Sequence, residues 1–139
     1  MRDLVTYFKD LSEILLSPDP KSDFLEAPQI NERGNQIGSL SLAIGYADGS
    51  RLYVELQADC SDDFPAWGDY SFQYIGPREE LRFRYDDAPH HGELPNFPYH
   101  LHLRTEELLP DGPPPIRAVA SAIRWHLDHP DRAWRPAAS

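Results

Sequence analysis

Cysteine, methionine and cations are all scarce in this 139-residue chain. With one cysteine, Cys60, no intrachain disulfide can form, so a packed core must hold the fold. Thirteen Lys and Arg stand against 23 Asp and Glu, for a net charge of −10. Residues 1–77 alone carry 5 basic and 13 acidic side chains. No basic patch of the kind that grips a nucleic-acid backbone is visible. The acidity suits solubility or a basic protein partner. No run of 18 apolar residues occurs, so no membrane span is expected. The opening MRDLVTYFKDLSEILL mixes acidic residues among its apolar ones and lacks the unbroken apolar core of a secretory leader. A reducing cytoplasm is the expected location.

What is present fits a globular chain. Hydrophobic content is 40% and aromatic content 12%, and the length suits one domain over residues 1–139. Leu4, Phe8, Leu11 and Leu15 recur at helical spacing behind Asp3, a predicted N-cap, and the SPDP that follows stops the helix. The period then changes to two. Leu40, Leu42, Ile44 and Tyr46 alternate with small or polar residues, Asp48–Gly49 turns, and Leu52, Val54, Leu56 and Ala58 answer. Tyr70, Phe72 and Tyr74 form a second hairpin with Leu81, Phe83 and Tyr85 across GPRE. A weaker strand is readable around Leu25–Asn31. Ile116, Val119, Ala120, Ile123 and Leu127 mark a closing helix behind a proline run, ending near Pro130. The expected fold is α+β: an antiparallel meander of four to five strands with both terminal helices on one face. The other face should present Arg51, Tyr53, Glu55, Gln57, Gln73, Arg82 and Arg84.

Four of the six histidines lie in RYDDAPHHGELPNFPYHLHL, residues 84–103. If FPYHLHL is extended, His100 and His102 share one side and Leu101 and Leu103 the other. Two chemistries fit. Paired imidazoles can exchange protons in general acid–base catalysis, as metal-free RNA cleavage through its own 2′-hydroxyl requires. Arg84, Arg82 or Arg104 would face the phosphate, and Asp86 or Asp87 would orient a ring. The leading pair for acid and base is His91 and His102, with His90 and His100 next. In the other chemistry, His100 and His102 with His90 or His91 bind a metal ion, with Asp86 as ligand or support. No cofactor is expected for the first. His126 and His129 are read as surface or helix-capping residues, Cys60 as structural, and Trp67 and Trp125 as packing residues.

The segment resembles the signature of the TumE family, toxins of small prokaryotic toxin–antitoxin operons. The resemblance is carried by Arg84, Tyr85 and Asp86, then Pro89, His90 and His91, then Phe97 and Pro98, then His100 and His102. Asp87 and Leu101 stand where members often have asparagine and lysine. The resemblance implies a cytoplasmic toxin held inactive by a cognate antitoxin protein. Endoribonuclease action is inferred from the histidines and from the likeness of the helix–sheet layout to small messenger-cleaving toxins, which makes RNA the expected target. The competing expectation is a non-catalytic module whose histidine loop binds a protein, nucleotide or metal ion.

Overall fold

The computed structural model describes residues 3–34, 36–87, 100–105, 107–109 and 112–136. In chain order the elements are α1 (Leu4–Leu16), β1 (Asp23–Phe24), β2 (Gln29–Glu32), β3 (Ile37–Gly45), β4 (Arg51–Asp59), β5 (Ala66–Ile75), β6 (Leu81–Asp86), β7 (His100–Leu103), β8 (Leu108–Leu109) and α2 (Ile116–Asp128). The expected α+β meander is present, but with eight strands among the described residues where four to five were expected. The additional strands are short. β1 and β2 both pair with β3, and β8 closes the other edge against β7.

α1 begins where Asp3 accepts the Thr6 amide at 2.9 Å, and it ends at Ser17, next to Pro18. Its predicted stripe of Leu4, Phe8, Leu11 and Leu15 is buried. The Asp48–Gly49 turn joins β3 to β4, with Gly49 at φ +88°, a region that favours glycine. Register then lines up a row of inward side chains across five strands. Ile44 faces Leu52, Leu52 faces Tyr74, Tyr74 faces Phe83, and Phe83 faces Leu103. Leu42, Val54, Phe72, Tyr85 and Leu101 form the parallel row. Val119, Ala122 and Ile123 of α2 join the same core as the α1 stripe, so both helices cover one face of the sheet. Each fully buried large apolar side chain contributes roughly 2 kcal/mol.

One expected facing is overturned. Arg82 does not share the open face with Arg84 and Asp86. The ladder pairs Tyr74 with Phe83 but Ile75 with Leu81, so Arg82 is the extra residue of a bulge. That slip turns its side chain to the core side, 1% exposed, where Nη1 donates to the Tyr74 hydroxyl at 2.9 Å and to Asp48 at 3.1 Å. The guanidinium lies 5.3 Å from the Tyr74 ring centroid. His126 also departs from expectation. It is fully buried against Tyr74, Phe83 and Trp134, whereas His129 caps α2 as predicted, its Nδ1 2.9 Å from the Trp125 carbonyl. Cys60 is buried, Trp67 packs on Tyr70 and Phe72, and Trp134 docks on Phe83.

Candidate functional site

β6 and β7 run antiparallel with Asp86 opposite His100 and Arg84 opposite His102. Opposed residues in such a pair point to the same side, with Cβ atoms roughly 5 Å apart. Leu101, Leu103, Phe83 and Tyr85 take the core side, so Arg84, Asp86, His100 and His102 must gather on the other. The alternation read from HLHL is therefore observed: His100 and His102 project together, away from the leucines.

The four side chains are in direct contact. Asp86 Oδ1 meets His100 Nε2. Arg84 Nε lies 2.8 Å from Asp86 Oδ2, and Arg84 Nη2 lies 3.2 Å from His102 Nε2. His102 Nε2 is also 3.7 Å from Asp86 Oδ2, and the two imidazoles meet edge to face at 4.8 Å between centroids. Asp86 and His100 are buried, while the side chains of Arg84 and His102 keep 33% and 20% of their exposure. The buried pair thus supports the two members that reach solvent.

Protonation follows from donor chemistry. A guanidinium has only N–H donors, so His102 must accept from Arg84 through an unprotonated Nε2. A carboxylate only accepts, so a proton lies between His100 Nε2 and Asp86. In that arrangement the His102 Nε2 lone pair is directed at a cation. The arrangement can bind an anion through Arg84 and take a proton through His102. Asp86, His100 and His102 also each offer a ligand atom, all within 4.8 Å of one another.

Of the predicted site residues, Arg84, Asp86, His100 and His102 come together. His90 and His91 lie outside the described residues. Arg82 is withdrawn by the β6 bulge, and Arg104 reaches instead for the Pro130 carbonyl at 3.4 Å. Asp87 accepts the Tyr70 amide at 3.1 Å rather than orienting an imidazole through any contact seen here, and burial raises its pKa. A cleft of about 500 Å³, lined by residues including Tyr7, Trp67 and Pro113–Pro115, holds none of the four. The contact set on β6 and β7 marks the site.

A family model described as Toxin TumE matches residues 13–130, most of the chain and all four of these side chains. No curated protein and no solved structure matches it.

Proposed function

The chain belongs to the TumE toxin family, and from that premise we propose that this toxin of a toxin–antitoxin system cleaves RNA by metal-independent phosphodiester chemistry. The observation that carries the reading is the contact of Arg84 with His102 Nε2, on a base supported by Asp86 and His100. A phosphate arriving at Arg84 draws the guanidinium off the imidazole and uncovers its lone pair. His102 Nε2 then takes the proton of the 2′-hydroxyl as that oxygen attacks phosphorus. The bond to the 5′-oxygen breaks, a general acid protonates the leaving oxygen, and a 2′,3′-cyclic phosphate remains. His91, with His90 beside it, is the acid the sequence suggests. Arg84 stabilises the charge on the five-coordinate phosphorus. Asp86 holds Arg84, and His100 holds Asp86.

The toxin acts in the cytoplasm, as one domain, under the control of its antitoxin protein. Purified chain should cleave RNA in the presence of EDTA and yield cyclic phosphate ends. His102→Ala, folded by circular dichroism, should lose roughly 10² to 10⁴ in rate. It should also lose toxicity when expressed in cells. The acidic surface favours the rival reading of a non-catalytic binding module. A folded His102→Ala chain that stays fully toxic would decide for that rival.

A further inference from the structure

The site has lone pairs for one cation, and Arg84 is that cation. Its Nε and Nη2 sit against Asp86 Oδ2 and His102 Nε2, and these two residues and His100 each offer a ligand atom within 4.8 Å of the others. We propose that a borderline divalent ion, Zn²⁺ first among them, binds at Asp86, His100 and His102 in competition with the Arg84 guanidinium. By taking the His102 lone pair, the ion switches the site off. The binding half rests on geometry alone; the inhibitory half rests on the proposed role of His102.

The geometry favours such an ion. Zinc bonds of about 2.0–2.2 Å to nitrogen and oxygen place tetrahedral ligand atoms roughly 3.4 Å apart. His102 Nε2 and Asp86 Oδ2 are already 3.7 Å apart, and no pair in the set exceeds 4.8 Å. Two paired strands hold all three residues, so little chain entropy is lost on binding. Two imidazoles and one carboxylate select zinc, cobalt, nickel or copper over magnesium or calcium, which prefer all-oxygen shells. The fourth position opens where His102 reaches solvent. Coordination requires His100 Nε2 to release to solvent the proton it shares with Asp86. Metal and guanidinium cannot both occupy the same two lone pairs, and their like charges repel.

The test uses the full chain with Zn²⁺ in calorimetry and Co²⁺ as a spectroscopic probe. One equivalent should bind, with the visible absorption of four-coordinate cobalt. His102→Ala should weaken binding more than roughly tenfold, as should Asp86→Asn if the first variant folds poorly. Arg84→Gln should tighten it by roughly tenfold, because a competing charge is gone. Metal affinity unchanged in His102→Ala and Asp86→Asn would overturn the proposal, as would Arg84→Gln binding no better than the parent. Binding is read without RNA. A chain that binds zinc yet never cleaves RNA keeps the metal site and loses the ribonuclease reading. One that binds zinc and cleaves RNA undiminished overturns the inhibitory half and keeps the metal site.

Discussion

His126 donates Nδ1–H to the Ala122 carbonyl at 2.7 Å and turns Nε2 into an enclosure of Tyr74, Phe83 and Trp134. Among the described residues nothing bonds that nitrogen. Burial pushes its pKa from 6.5 down to about 4, the nearby Arg82 and Arg104 cations push the same way, and the Ala122 carbonyl and Asp48 oppose. A folded-state pKa below the unfolded one means that the native chain binds fewer protons between the two values. The stability tied to neutral His126 is therefore complete above about pH 6.5 and drains away as pH falls toward 4. The full span is worth at most about 3 kcal/mol. Urea unfolding of the wild type should lose much of that between pH 7 and pH 4.5, and His126→Phe should flatten the difference between the two pH values. Equal pH dependence in the two proteins would show that His126 is not the group responsible. His102, by contrast, lies against the Arg84 cation at a partly exposed edge, so the same side chain type serves stability in one place and is proposed for proton transfer in the other. The burial of His126 was legible: it falls three residues after Ile123 and seven after Val119, on the apolar stripe of α2. Reading histidine as polar hid it.

At the level of elements, alternation and turn chemistry revealed β3 to β6, while β1 and β8 stayed hidden, being two residues each and too short to show a period. The weaker strand read around Leu25–Asn31 overlaps β2, whose mostly exposed residues carry no apolar alternation to fix its bounds. β7 was readable because HLHL alternates and its leucines are buried on one side. The bulge in β6 was not, since LRFRYD alternates without a break in sequence and only the pairing with β5 shows that Arg82 is the extra residue. That bulge matters to the site. It removes one of two neighbouring arginines from the open face and leaves Arg84 alone between Asp86 and His102. Because Arg82 ties the β3–β4 turn to β5 through Asp48 and Tyr74, Arg82→Met should destabilise the chain by roughly 2 kcal/mol, since the Tyr74 hydroxyl and the Asp48 carboxylate each lose one hydrogen bond and keep those with Ser50. A denaturation midpoint within error of wild type would refute a structural role for the bulge. RNA cleavage per folded molecule should be unchanged, since Arg82 touches none of the four site residues in the contacts described here.

Across the whole molecule, charge and proposed substrate share a sign. A net charge of −10 repels RNA at long range, and residues 1–77, which carry 13 of the 23 acidic side chains, lie outside β6 and β7. A nucleic-acid enzyme built on a basic patch loses affinity as salt rises, because bound counterions must be released from the phosphates. Under the proposed activity, long-range repulsion would oppose the approach of RNA, and a single described guanidinium, Arg84, would meet the phosphate. Screening shortens the reach of repulsion from tens of ångströms at low ionic strength to about 8 Å at 0.15 M. It barely alters a contact ion pair at 3 Å. The kcat/KM for RNA cleavage should therefore rise modestly, by a few-fold, as salt increases from about 0.01 to 0.15 M. The measurement is initial rate at low substrate across that range. A steep fall with salt would mean that several cations outside the described set engage the backbone, and the single-arginine picture of phosphate capture would have to be abandoned. The same acidity has an opposite consequence for the antitoxin. A basic partner surface is steered toward this chain, and its association should slow as salt rises while RNA capture quickens. Ionic strength thus pulls the two encounters apart, and comparing their salt slopes tests whether one surface charge distribution serves inhibition and turnover together.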